Sequence, residues 1–311
     1  MGRICAGWSA SPTVEGVRFP NVVLGPVDAC PIALASSYGL GPREVDRAFE
    51  RGMGFFFWGA LRREDFGRAV RRLAKRSRER VTIAIQTFAR RAWLVRPSVE
   101  IARRRLGVDA IDVLGLGFWK VPPPRAIVDA ALRLRDRGVV RSVVISSHDR
   151  HTLATLIADA AYDGVMVRYN AAHLGAESDV LPLAQSRARS VIAYTATRWG
   201  SLVLPDATLS GERAPSGADC YRFVLSHAAV RGCLAGPKDA TELDGVLEAL
   251  DAGPMTADEL AWMRRVGAHV RARGKMRAPV GPRDAWSHTK GILREIWERG
   301  LTEDVVSRFN R

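Results

Sequence analysis

Lysine is scarce in this sequence: five of the 47 basic residues are Lys, so a formal net charge of +14 is carried almost wholly by Arg. The Arg residues are spread over amphipathic stretches such as RRLAKRSRER at 71–80 and ARRR at 102–105. No RNP-like, helix-turn-helix or KH pattern accompanies them, so they read as solvated helix faces and no nucleic-acid partner is expected. Long apolar runs are also missing. With no stretch of about 18 apolar residues, no membrane-spanning helix and no membrane partner are expected. MGRICAGWSASPTVEG has no apolar core after Arg3, which argues against a secretory signal and for a cytoplasmic protein. Cys5, Cys30, Cys220 and Cys233 form no C-x-x-C pair and have no His at ligand spacing. That excludes a zinc motif or a disulfide framework, and no metal is expected. The sequence carries no signal for an oligomeric state.

What is present is a regular alternation. Short apolar runs occur at 31–35, 55–57, 81–85, 111–116, 139–146, 164–169, 190–194 and 231–236. Each is apolar at successive positions, as strands buried on both faces are. Helical patterns lie between and after them at 43–51, 64–76, 97–106, 124–137, 149–160, 177–187, 219–228 and 240–250. Gly41-Pro42 opens the first, and Gly138 suits the stop of the fourth. Eight β-then-α units predict a (β/α)8 TIM barrel over about 30–252, within a single domain spanning 1–311. A hairpin at 13–25 is expected to close the bottom of the barrel. C-terminal helices are expected over about 255–300, the first opened by a capping box of Thr256 and Glu259. The stretch from Thr195 to Asp219, rich in Gly, Pro and Ser, is predicted to be a loop at the ligand-binding end.

Several pieces then occur in a telling order: RAFERGMGFF, LGVDAIDVLGL, LRDRGVVRSVVISSH, YDGVMVRYNAAH, SVIAYTATRWGSL and CLAGPKDATELDGVLEAL. Together they resemble the aldo-keto reductase superfamily over about 15–270. The resemblance implies carbonyl reduction with NAD(P)H by an Asp, Tyr, Lys and His set, in which the cation lowers the pKa of the phenol that delivers the proton. Laid on that pattern, the Asp position falls on Phe57, the Tyr position on Arg62, the Lys position on Gln86 and the His position on Gly117. None of these supplies the missing proton chemistry.

The resemblance also implies cofactor contacts. Tyr194 matches the aromatic that stacks on nicotinamide, and Ser146 with Ser147 matches the pair that holds its carboxamide. Gly236 and Lys238 precede the helix that would meet a phosphate. Met166 stands at a Gln position, Gly245 and Val246 at the adenine contacts, and Glu242 where a base for a 2′-phosphate is usual. These departures make NADP a doubtful cofactor on the sequence alone.

Strand ends predict a mouth built from Trp58, Arg62, Gln86, Phe118, Trp119, His148, Arg168, Asn170, Tyr194 and Arg198. Arg62, His148 and Tyr194 are the catalytic candidates, and the others would contact a small-molecule ligand in the barrel mouth. Aromatic and cationic side chains suit an anionic or planar molecule. Three readings follow: a reductase-like barrel turned to other, even non-redox, chemistry; an NAD(P)H-dependent oxidoreductase with an atypical proton donor; and a catalytically silent binding subunit.

Overall fold

The computed structural model describes residues 18–59, 61, 63–204 and 212–273. Its first elements are β1 (Val22–Leu24) and β2 (Val27–Ala29), an antiparallel hairpin. The hairpin expected at 13–25 therefore lies further along the chain. Its turn is made at Gly25, whose φ of 57° suits a residue without a side chain. Val22, Leu24, Val27 and Ala29 are buried against the barrel interior, so the hairpin plugs the bottom.

Eight strands close into a barrel in the order β10-β3-β4-β5-β6-β7-β8-β9, every pair parallel. They are β3 (Ile32–Ala35), β4 (Phe55–Gly59), β5 (Thr82–Thr87), β6 (Ile111–Leu116), β7 (Val140–Ser146), β8 (Gly164–Arg168), β9 (Ser190–Tyr194) and β10 (Val230–Ala235). The apolar runs form strands because both faces find a partner. One set of side chains, including Ala33, Phe55, Phe57, Ala84, Val113, Val144, Met166 and Ile192, fills the interior. The alternate set packs against the helices.

The helices are α1 (Pro42–Glu50), α2 (Glu64–Arg76), α3 (Val95–Leu106), α4 (Arg125–Asp136), α5 (Arg150–Leu156), α6 (Val180–Ser186), α7 (Gly217–Leu225), α8 (Ala240–Ala252) and α9 (Ala257–Ala272). Local chemistry sets their ends. Pro42 opens α1, and Gly138, at φ 71°, follows α4. Capping boxes at Ser216 with Asp219 and at Thr256 with Glu259 start α7 and α9. Helix α5 is shorter than its pattern predicts. Beyond it the Asp159 carboxylate accepts the Ala161 N–H at 2.9 Å, a local turn that competes with the helix. The predicted C-terminal helices beyond residue 273 lie outside the described residues.

Candidate active site

Alternation along each strand decides which side chains reach the mouth. In β4, Phe55 and Phe57 point inward and Phe56 and Trp58 outward. Trp58 packs over Gly67 of α2, where a Cβ would collide with its indole. It is thus part of the outer core, and Phe57 is the aromatic that faces the interior. Trp119 likewise joins the outer core, with the Arg90 guanidinium 4.2 Å from its ring centre. Asn170 is fully buried; its amide donates to the Thr195 carbonyl at 2.9 Å and its oxygen accepts the Ala172 N–H at 3.1 Å. Arg198, 5% exposed, donates to the Val270 carbonyl at 2.7 Å and so anchors α9. These four side chains are packed into the framework. Arg62 lies outside the described residues.

The structure does bring Gln86, Phe118, Ser146, Ser147, His148, Arg168 and Tyr194 to the C-terminal end of the barrel, where barrel enzymes hold their ligands. The Tyr194 hydroxyl donates to the Ser147 carbonyl at 2.8 Å and lies 3.2 Å from His148 Nδ1. A phenol has one proton, and a carbonyl can only accept. The Tyr194 proton is therefore used on Ser147, and His148 Nδ1 carries the hydrogen of the second contact. The free lone pair of the neutral imidazole is then on Nε2. Ser147 fixes this arrangement twice, since its hydroxyl also accepts the Asp149 N–H at 2.9 Å as the chain turns into α5.

Phe118 completes the couple. Its ring stacks on His148 at 4.7 Å and 13°, and meets Tyr194 edge-on at 6.3 Å. Phe88 lies 5.5 Å from Phe118 on the other side. Phe118 adopts φ 50°, a left-handed conformation that a bulky residue holds only when its surroundings impose it. Arg90 imposes it by donating to the Gly117 carbonyl at 2.9 Å and the Phe118 carbonyl at 3.3 Å.

The electrostatics of the mouth are one-sided. Burial lowers the pKa of His148, and the nearby Arg168 and Lys120 cations lower it further. Burial raises the Tyr194 pKa well above that of free phenol, and the Ser146 hydroxyl and Arg168 offset only part of that rise. Gln86 Nε2, Ser146 Oγ and Thr195 Oγ1 are buried at this end without a hydrogen-bond partner of good geometry. Gln86 occupies the space over Gly117, where a Cβ would overlap Nε2. At the start of α8, the Lys238 amine pairs with Glu242 at 2.6 Å, and the Tyr38 ring covers Gly236. Lys120 and Phe88 were not among the predicted residues. Lysine's rarity marks Lys120, and Phe88, two beyond Gln86, shares its alternation.

A model of the aldo/keto reductase family matches residues 45–268. A D-threo-aldose 1-dehydrogenase from a Pseudomonas species is 29% identical over 183 residues, covering 48% of this chain and 54% of that protein. The chain thus matches about half the length of that curated relative. The fold resembles the holo form of an aldo-keto reductase from Bacillus halodurans, with TM-score 0.70 and 19% identity, covering 80% of this chain and 96% of the other. It also resembles an aldo-keto reductase from Klebsiella pneumoniae in complex with NADPH, with TM-score 0.65 and 21% identity, covering 81% and 96%. This corrects the doubt that the sequence placed on NADP. A barrel of this shape at so low an identity holds NADPH, so single side-chain departures such as Glu242, Gly245 and Val246 are no argument against the cofactor. The physical reason is that a dinucleotide touches strand ends, backbone and helix termini over a long path, and no one side chain decides its binding.

Proposed function

The chain belongs to the aldo/keto reductase family, and we propose that it is an NADP(H)-dependent oxidoreductase that reduces a small carbonyl compound without the Asp, Tyr, Lys and His set, using His148 to handle the proton. The observation that carries this reading is the Tyr194–His148 pair at the mouth, which leaves the imidazole Nε2 as the titratable atom. At the positions matched to the usual set, Phe57 and Gln86 have no proton to exchange near neutral pH, Gly117 has no side chain, and Arg62 stays charged.

The buried Ser146 hydroxyl, beside Tyr194, is the feature that fits a carboxamide donor or acceptor at the nicotinamide end. The Tyr194 ring would border it, with Gly236 and Lys238 at the phosphate end. When bound there, NADPH would supply a hydride. The balance is carbonyl + NADPH + H⁺ → alcohol + NADP⁺. Gln86 Nε2, a buried donor fixed by packing over Gly117, is suited to the carbonyl oxygen as negative charge develops on it. His148 Nε2 provides the proton from its cationic form. Tyr194 orients the ring and, with its raised pKa, stays neutral.

Fluorescence titration of the full-length protein with NADPH, followed by NADPH oxidation with a panel of aldehydes and ketones, tests the proposal. Quenching of Trp emission at micromolar NADPH and turnover that drops in His148→Asn are expected. No binding, or turnover untouched in His148→Asn, defeats it. A second reading is supported by the lowered His148 pKa, which keeps the imidazole unprotonated, and so able to accept a proton, at neutral pH. His148 would then abstract a proton in a non-redox isomerisation or elimination. Turnover of an enolisable ketone with no loss of NADPH absorbance would favour that reading.

A further inference from the structure

Arg168 is the last residue of β8, two positions beyond the inward-facing Met166, and it is half-buried at the mouth. Among the described residues no hydrogen bond or ion pair engages its guanidinium. The carboxylates in the neighbouring loops are already committed. Glu177 is held by Arg264 at 2.9 Å and by the Tyr169 hydroxyl at 2.6 Å. Asp179 pairs with Arg150 at 2.5 Å. Asp149 accepts the Thr152 N–H at 2.7 Å as the cap of α5. A half-desolvated guanidinium without a counter-ion is costly unless a ligand supplies one. Gln86 Nε2, on a residue only 6% exposed, is a further unsatisfied donor at the same end of the barrel.

We infer that the mouth selects a small organic carboxylate that also bears a carbonyl, the carboxylate anchored by Arg168 with Lys120 beside it, and the carbonyl oxygen facing Gln86 Nε2. The carbonyl half of this assignment rests on the reductase reading above; the carboxylate half does not. A consequence concerns His148. The groups that face it are Tyr194 from β9, Arg168 from β8, and Phe118 with Lys120 from the segment after β6, while Asp149 is turned away into its cap. Both charged neighbours are cations. A carboxylate laid on Arg168 cancels part of their field, so the same binding event raises the proton affinity of His148 Nε2. The substrate thereby charges the acid that the reduction consumes.

The test uses phenylglyoxylate and its methyl ester, which differ in charge and little in shape. Isothermal titration calorimetry of the full-length protein at pH 7 is run in two buffers of different ionisation enthalpy, which measures proton uptake. Phenylglyoxylate is expected to bind roughly tenfold to a hundredfold tighter than the ester, the range of a charge-assisted hydrogen-bonded pair. It should take up a fraction of a proton on binding, where the ester takes up none. Arg168→Gln should erase the preference, Arg168→Lys should keep part of it, and His148→Asn should abolish the uptake while keeping the preference. Thermal melting confirms that each variant is folded. Equal binding of acid and ester, a preference that survives Arg168→Gln, or no binding of either overturns the inference. A strong acid preference in a protein that never oxidises NADPH keeps the carboxylate anchor and removes the reductase reading; reduction of ester and acid at equal rates does the reverse.

Discussion

His148 and His173 sit in one field of cations, yet different partners hold them. Nδ1 of His173 lies 3.3 Å from the Asn170 side-chain oxygen, and burial together with Arg168, Arg198 and Arg271 pushes its pKa down to about 4. Unfolded, the same ring titrates near 6.5, the ordinary value for an imidazole. Between those values the unfolded chain binds the extra proton, so the folded state loses stability as pH falls from about 6.5 to about 4. His173→Gln should flatten that part of the Tm-against-pH curve, and an unchanged slope would show that other groups dominate it. For His148, whose shift is also downward, the acid form is lost as pH rises through a value below 6.5. If the imidazole is the proton source, kcat/KM should fall as pH rises from 5.5 to 8, and His148→Asn should lower kcat roughly a hundredfold with NADPH affinity unchanged. The sequence placed Gln86, Phe118, Ser146, His148, Arg168 and Tyr194 at strand ends, where the structure has them. It misjudged the direction of Trp58, because FFFWG is apolar at every position before its glycine and offers no polar alternation to tell inside from outside.

Elements were legible where a residue has a local job. Pro42, Gly138 and the Thr256–Glu259 pair announced helix ends that the backbone then obeys. The hairpin was read too early because a turn depends on which glycine takes positive φ, and the stretch holds both Gly16 and Gly25; Gly25 takes it, at a close approach to Asp163. Thr256→Ala should lower stability by about 1 kcal/mol through loss of the cap, measured by urea denaturation. Between β5 and the segment after β6, Gly117 and Gln86 form one unit. Gly117→Ala forces Gln86 Nε2 from its place, so it should cost about 1–3 kcal/mol of stability as overpacking does. The added Cβ also meets the Phe88 ring edge, so the double variant Gly117→Ala with Gln86→Ala should recover only part of that loss; additive losses would mean that the two positions are independent.

Across the whole molecule, the barrel is joined at its two ends by different chemistry. Near the base, the buried Asp112 carboxylate accepts the Ile83 N–H at 2.7 Å and the Arg78 guanidinium at 2.9 Å, with Arg141 at 3.2 Å. Strands β5, β6 and β7 are thereby tied together by one side chain. Asp112→Asn should cost roughly 1–3 kcal/mol, read as a lower urea midpoint at unchanged slope. Closure of the sheet was readable from the eightfold alternation, whereas this tie was not, because a lone Asp inside an apolar run gives no sign of the arginines that the fold will bring to it. At the other end lie the aromatic couple and its cations, and between the two ends the lumen is mostly hydrocarbon, from Ala33, Phe55, Phe57, Ala84, Val113, Val144, Met166 and Ile192, with the buried Ser142 hydroxyl among them. Such a lining offers little polar path from base to rim. A ligand seated at the mouth would cover the imidazole, so deuterium from the medium should reach His148 Nε2 more slowly once the mouth is filled.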